Sequence, residues 1–191
     1  MNRGILLIVS GLSGAGKGTI CKRIMEKYPE YYELSVSATD RAPRPGEVHG
    51  REYFFLTTEE FEKRIAEDAL LEHARYVNHY YGTPRQWVEE QMAQGKNVIL
   101  EIELQGAFQV REKMPEAVLV FIMPPSMEEL ERRLRGRGSE TEEEIRNRLQ
   151  RAQEELQYVD QYDYVIVNED VEKSVDLLHN VVLQSKEKAE H

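Results

Sequence analysis

The sequence predicts an α/β protein in which a largely parallel sheet is flanked by helices on both faces. Three observations predict it. Apolar runs at residues 5–9, 97–102, 118–123 and 164–167 alternate with segments of helical spacing, the pattern of strands buried on both faces. The first run leads through Gly11-Leu12-Ser13-Gly14-Ala15-Gly16-Lys17-Gly18-Thr19 into a helix marked by Ile20, Ile24 and Met25; strand, glycine-rich turn and helix together are the context of a phosphate-binding loop. Residues from about 35 to 81 break the alternation, with Tyr53-Phe54-Phe55 and Tyr76-Val77 around one helical segment at 59–68. They predict a small β-rich insert in the α/β core.

Taken in order, the first element is the loop itself. Its glycines let the backbone curl so that successive N–H groups point inward at phosphate oxygens, and the helix behind adds unpaired donors and a partial positive charge. Lys17 brings a mobile ammonium to the outer phosphates. The pattern Gly11-x4-Gly16-Lys17 is met, but Gly18 follows, so the usual metal-side hydroxyl is displaced to Thr19. Further on, Thr57 with Glu60, Thr83 with Gln86, Ser126 with Glu129 and Thr141 with Glu144 have capping-box spacing. Pro84 suits a first helical turn and Gly95 a helix end. The run Arg132-Arg133-Leu134-Arg135-Gly136-Arg137-Gly138 alternates arginine and glycine, as a lid hinging over phosphates would, and Glu140–Glu144 place acids at the next helix N-terminus. Val171, Val175, Leu178 and Val182 mark a final amphipathic helix, with fraying expected over 186–191.

Composition limits the partners. In 191 residues, 25 basic and 35 acidic side chains leave a net charge of −10, which opposes a broad nucleic-acid surface and requires a local basic cluster for any anionic substrate. No apolar run approaches the roughly 20 residues of a membrane span. The first strand begins within a few residues of Met1, leaving no room for a signal peptide. The lone Cys21 suits a reducing compartment, and the expected location is cytoplasmic. It is either a reactive thiol beside Lys17 or, more commonly at such a position, a small buried core residue. Five histidines, at 49, 73, 79, 179 and 191, show no metal-ligand spacing, and Trp87 reads as a packing residue.

Two further constellations carry chemistry. Arg41 and Arg44, stiffened by Pro43, offer planar forks to one phosphate, with Tyr53 and Tyr81 as phenolic donors to the same group. Glu72 is a candidate acid, and Glu101 and Glu103 lie at the strand end running to Gly106, where alternation puts both on one face. Strand C-terminal ends line the ligand crevice of open α/β sheets, where a carboxylate holds hydrated Mg²⁺ or reads a base.

In order and spacing these motifs closely resemble the guanylate kinases, members of the P-loop NTPase fold. The marks are the 11–19 loop, Ser37-x3-Arg41-x2-Arg44-x2-Glu47, Gly50-x2-Tyr53, Tyr80-Tyr81-Gly82-Thr83-Pro84, Glu101-x-Glu103-x-Gln105-Gly106, Arg137-Gly138-x-Glu140-Thr141 and Asn168. The resemblance runs from residue 4 to about 183 and implies one domain over 1–191. Its core covers about 1–34 and 85–191, its nucleoside-monophosphate-binding insert about 35–84 and its arginine-rich lid about 133–145. It implies transfer of the ATP γ-phosphoryl group to GMP and dGMP, with Mg²⁺, in purine nucleotide metabolism and GMP recycling. ATP would be bound by Gly11, Ser13, Gly14, Ala15, Gly16, Lys17, Gly18 and Thr19, with Asn168 near the adenine. The GMP phosphate would be held by Arg41, Arg44, Tyr53 and Tyr81, and the guanine by Ser37, Glu72, Thr83 and Glu103. Arg133, Arg137 and Arg148 would close onto the transferring group beside Lys17. No direct metal ligand is assigned; Glu101 is the candidate to act through water.

The choice of base has its own physical argument. Guanine presents N1–H and an N2 amine to an ionised carboxylate, whereas adenine presents a bare acceptor and leaves the charge unpaired. Against the family pattern, Leu12 stands where proline is usual, Gly18 where serine is, and Asp40 where threonine is. Asp40 is expected to pair with Arg41 or to weaken phosphate binding. Two other readings are a kinase for ribose bisphosphate, opposed by Ser37, Glu72, Thr83 and Glu103, and a non-catalytic guanylate-kinase-like protein-binding module, opposed by Lys17, Arg137 and Arg148. The sequence leaves monomer and homo-oligomer both open.

Overall fold

The computed structural model describes residues 3–189. In chain order the elements are β1 (Leu6–Gly11), α1 (Lys17–Lys27), β2 (Tyr32–Leu34), β3 (Ala38–Thr39), β4 (Phe54–Phe55), α2 (Thr58–Ala66), β5 (Leu70–Tyr76), β6 (His79–Pro84), α3 (Arg85–Ala93), β7 (Asn97–Glu101), α4 (Leu104–Lys113), β8 (Val118–Met123), α5 (Met127–Gly136), α6 (Glu142–Leu156), β9 (Tyr164–Val167) and α7 (Val171–Ala189). A 3₁₀ turn, Val159–Gln161, precedes β9.

Five strands form one sheet in the order β2-β7-β1-β8-β9, parallel throughout. Central residues of β1, β7 and β8, including Leu7, Ile8, Ile99, Leu119 and Val120, are wholly buried. The parallel arrangement explains this: each crossover lays a helix on one face or the other, so both faces need apolar side chains. A large side chain buried in this way contributes about 1.5–3 kcal/mol. The strands read from the apolar runs are all present. β2 was not anticipated, because its three residues are too short for periodicity to register; Tyr32 is fixed by register with Asn97 of β7.

The second sheet, order β4-β3-β6-β5, has its own small core of Ala38, Phe61 and Leu70, with Phe54, Leu56, Ile65 and Tyr80 packed against it. Gly82 is required where β5 and β6 meet: a Cβ there would lie 2.7 Å from the Glu72 carbonyl and 3.1 Å from the Phe61 ring. Helix α4 supports this sheet from the core. Gln109 donates to the His73 carbonyl (3.2 Å) and accepts from the His73 N–H (3.1 Å), and Lys113 donates to Leu70 O (2.8 Å).

Several local expectations change. Thr57 and Thr141 head full capping boxes. Ser126 caps α5 through the Glu129 N–H, but the Glu129 carboxylate turns to Arg132 and Arg133 instead of closing the box. Thr83 is no cap: Pro84 holds that position in α3 and the Thr83 hydroxyl is spent on Glu72. The strand read as running to Gly106 stops at Glu101, and Glu103 is the N-cap residue of α4, so Glu101 and Glu103 do not share a strand face. The helical period of Leu104, Ala107, Phe108 and Val110 against the core decides this. Fraying over 186–191 is not seen as far as Ala189, where α7 ends; residues 190 and 191 lie outside the described residues. Cys21 is a core residue at 2% exposure, and burial, aided by Glu101, pushes its thiol up to about 12, far from a reactive thiolate.

Candidate active site

The loop between β1 and α1 takes its shape from backbone conformations that suit glycine: φ is 144° at Gly11, 92° at Gly14 and 96° at Gly16. Ala15 N–H closes a turn on Leu12 O at 3.0 Å. From behind, Asn168 at the end of β9 donates to Ala15 O (2.8 Å) and accepts from Ser174 Oγ (3.0 Å). A Cβ at position 16 would lie 2.5 Å from the Asn168 amide nitrogen, so the close contact requires glycine. Expected near adenine, Asn168 is 4% exposed and both ends of its amide hold protein.

Lys17 begins α1 and folds back to donate to Gly11 O at 2.6 Å and Leu12 O at 3.5 Å. Burial lowers its pKa, opposed by Glu101, Glu155 and Glu103. An ammonium short of solvent gains more from a nearby anion than a hydrated one does. Position 18 is open: a Cβ there would meet the Glu101 carboxylate at an ordinary 3.6 Å. Glycine is therefore not a packing requirement, and its consequence is a missing hydroxyl beside Glu101. Thr19, to which the hydroxyl is displaced, is exposed.

A cleft of about 220 Å³ opens beside the loop, lined by Gly11, Ser13, Lys17, Glu103, Leu104, Phe121, Arg148, Arg151, Glu155 and Tyr162. Arg148 reaches in from α6, 3.5 Å from Ser13 Oγ and paired with Glu140 at 2.9 Å. One turn on, Arg151 pairs with Glu103 (2.8 Å) and Glu155 (3.0 Å). Sequence reasoning missed Arg151 and Glu155; their spacing from Arg148 along one helix face was the available signal. The other two arginines expected here lie elsewhere. Arg133 is bound to Glu129 (2.8 Å), Asn168 O (3.0 Å) and Ala15 O (3.4 Å), bracing the loop. Arg137 is exposed at the C-cap of α5, followed by Gly138 at φ 65°.

The second sheet gathers the remaining candidates. Arg41 donates through Nη2 to both carboxylate oxygens of Glu47 (2.9 and 3.0 Å) and lies 5.4 Å from the Tyr53 ring centroid. Tyr53 and Tyr81 meet edge to face at 5.9 Å. Glu47 also accepts from the Arg44 N–H at 2.7 Å, so one carboxylate shapes the whole turn, a role that sequence did not assign. The Arg44 side chain is exposed, and Ser37 is half-buried, its carbonyl accepting from Phe54 N–H. Glu72, 8% exposed, accepts from Thr83 Oγ1 at 2.7 Å; burial raises its pKa, partly offset by that bond and by Lys113. Glu103, by contrast, has its side chain 77% exposed. Asp40 does not pair with Arg41. Its carboxylate is taken by Tyr80, Thr58 and His79, because it lies against β6 and α2 while Arg41 turns to Glu47.

A parallel sheet, a glycine-rich loop feeding a helix and a lysine at its head define a P-loop NTPase fold. A family model described as guanylate kinase matches residues 3–185. The guanylate kinase of Caldanaerobacter subterraneus subsp. tengcongensis is 51% identical over 184 residues, 96% of this chain and 89% of the relative. That of Clostridium perfringens strain SM101 is 53% identical, covering 97% and 85%, and that of Synechocystis sp. 52%, covering 94% and 92%. The crystal structure of guanylate kinase from Anaplasma phagocytophilum superposes with a TM-score of 0.71 at 36% identity, over 97% of this chain and 88% of that one. This chain belongs to the guanylate kinase family.

Proposed function

We propose that this enzyme, a guanylate kinase, moves the ATP γ-phosphoryl group to GMP by dividing the work between its two sheets. The observation that carries the reading is the pairing of a buried, Thr83-bonded carboxylate, Glu72, with the Arg41–Tyr53–Tyr81 cluster on one sheet. A carboxylate suits the N1–H and N2 amine of guanine, and the arginine with its two phenols suits a phosphate. Under this reading residues 35–84 are the GMP-binding insert and 133–145 the lid, with 1–34 and 85–191 the core. Ser37 and Glu103 join the guanine contacts, and Arg44 joins the phosphate contacts.

The loop residues Gly11 to Thr19 hold the ATP phosphates through backbone N–H groups, with Lys17 released from Gly11 O onto the outer phosphates. Asn168 bears on the adenine side by fixing the loop. The GMP phosphate is itself an adequate nucleophile, so no general base is needed; the site brings two anions into line and neutralises charge on the transferring group. Arg148 does this from the cleft and Arg137 from the lid, while Arg133 serves the site by bracing the loop through Ala15 O and Asn168 O. Among the described residues no three His, Cys, Asp or Glu side chains converge as a metal site. One carboxylate, Glu101, faces the open position 18, which fits a Mg²⁺ carried mainly by phosphates and water. When bound, Mg²⁺ supplies charge neutralisation across the phosphates. No helix among the described residues is long and apolar enough to cross a membrane.

The test is ADP release with ATP–Mg²⁺ and GMP, dGMP, AMP, CMP, UMP or ribose bisphosphate in parallel. Turnover confined to GMP and dGMP is expected; GMP binding without turnover would overturn the reading. Within that assay Arg44→Ala is expected to raise the KM for GMP about 10- to 150-fold, the value of a charge-assisted hydrogen bond, and to leave the KM for ATP within about twofold. Equal effects on both substrates refute its phosphate role.

Glu72 yields a prediction with opposite signs for activity and stability. Its native pKa is raised above the ordinary 4.5, burial being the main cause. The unfolded chain therefore ionises first, and stability is lost as pH rises from 4.5 through the native value. Glu72→Gln removes that loss while keeping an acceptor for Thr83. Its melting temperature should exceed wild type at neutral pH and converge with it below pH 4.5, while kcat/KM for GMP falls about 10- to 150-fold. Thermal melts across pH beside GMP kinetics check both, and a variant less stable at neutral pH contradicts the assignment.

A further inference from the structure

Asp40 sits where the β3–β6 ladder ends. Ala38 pairs with Gly82 and Thr39 with Tyr81, and then side chains take over from the backbone. Thr39 Oγ1 donates to Tyr80 O at 2.8 Å, and Asp40 Oδ1 accepts from Tyr80 N–H at 2.8 Å. Both backbone groups of Tyr80 are thus held by two consecutive side chains. Asp40 Oδ1 also lies 3.2 Å from His79 Nδ1, and Oδ2 accepts from Thr58 Oγ1 at 2.9 Å. Thr58 is the first residue of α2, whose N-terminus favours a negative charge. The Asp40 side chain is only 4% exposed. Burial alone would raise its pKa, yet the bonds from Tyr80, Thr58 and His79 carry it below the ordinary 3.8. One ionised carboxylate therefore fastens β3, β6 and α2 together.

The next residue is Arg41. Its N–H donates to Thr39 Oγ1 at 3.2 Å, so its backbone hangs from the same clamp, and its guanidinium leaves toward Glu47, Tyr53 and Phe55. We propose that Asp40 is a positioning residue for GMP: by locking β3 to β6 and to the head of α2, it fixes the direction in which Arg41 meets the GMP phosphate. The proposal rests on the reading of Arg41 as a phosphate contact. It also reverses what proximity alone suggests, since the charge of Asp40 is consumed by three donors before it can compete for Arg41. A threonine at this position has one uncharged hydroxyl oxygen in place of two carboxylate oxygens, so the aspartate, which uses both, is the more extensive clamp.

The experiment is a double-mutant cycle read as KM for GMP, KM for ATP and kcat, in Asp40→Ala, Asp40→Thr, Arg41→Ala and the Asp40→Ala/Arg41→Ala pair. Asp40→Ala is expected to raise the KM for GMP about tenfold with the KM for ATP within about twofold, and Asp40→Thr to recover part of that loss. In the Arg41→Ala background, Asp40→Ala should add less than about twofold, because it acts through the arginine already removed. An unchanged KM for GMP in Asp40→Ala, or an undiminished effect without Arg41, overturns the proposal. If Arg41→Ala leaves the KM for GMP unmoved while wild type turns GMP over, the clamp has no target and the proposal fails although the activity stands. Wild type without GMP turnover fails the functional reading instead. Should Asp40→Ala not fold, Asp40→Thr and Thr58→Val carry the same comparison, each with a smaller rise confined to GMP.

Discussion

Lys17→Ala is expected to lower kcat by at least ~10³-fold and to leave the fold intact. The rate effect follows from what the loop lacks without it. Under the proposed mechanism the backbone N–H groups at positions 11–19 position phosphate with partial charges only, and Lys17 is the group that brings a full charge to the outer phosphates, where charge develops. In the structure its ammonium donates to Gly11 O at 2.6 Å, and under the same mechanism a phosphate oxygen takes that place. On the stability side two terms oppose. The lost bond to Gly11 O is worth about 1.5–3 kcal/mol, while removing an ammonium whose pKa is already lowered by burial relieves a desolvation cost. The melting temperature should therefore move by only a few degrees. Steady-state ADP release and a circular-dichroism melt on the same preparation measure both, and near-wild-type kcat in the variant sinks the assignment.

Arg148→Ala should have the second-largest effect, a loss of ~10³-fold in kcat, equivalent to about 4 kcal/mol of transition-state stabilisation. In the structure Arg148 holds only Glu140 and a long contact to Ser13 Oγ. A partly exposed pair of this kind contributes about 0–1 kcal/mol to stability, so a rate loss of that size cannot come from a loosened fold. Arg148→Lys separates the roles. It keeps the charge beside Glu140, 11% exposed in its side chain, and should restore the melting temperature, but without the planar fork it should recover only a minor part of kcat. A Lys variant with full turnover would show that a point charge suffices and that the fork is not used. By the same comparison Arg151, already tied to Glu103 and Glu155, marks the cation of the cleft with its partners most fully in place.

Much of the molecule was legible in the sequence because it depends on neighbours along the chain. The apolar runs of β1, β7, β8 and β9, the capping boxes of α2 and α6, and the glycine loop with Lys17 are local patterns, each written within a few consecutive residues. They determined a parallel α/β sheet, a phosphate loop and, through motif order, the guanylate kinase family. What the tertiary structure decided involves residues far apart in the chain. Thr83 looks like a helix cap until β5 brings Glu72 to its hydroxyl at 2.7 Å. Asp40 looks like a partner for the adjacent Arg41 until β6 and α2 supply three donors from 18 to 40 residues away. Arg133 looks like a lid arginine until the Ala15 and Asn168 carbonyls claim it. The physical reason is common to all three. Charged and hydroxylic side chains satisfy whichever partner folding places within hydrogen-bond reach, and in a buried setting an unmade bond costs about 1–3 kcal/mol, so long-range packing overrides the nearest neighbour in the chain.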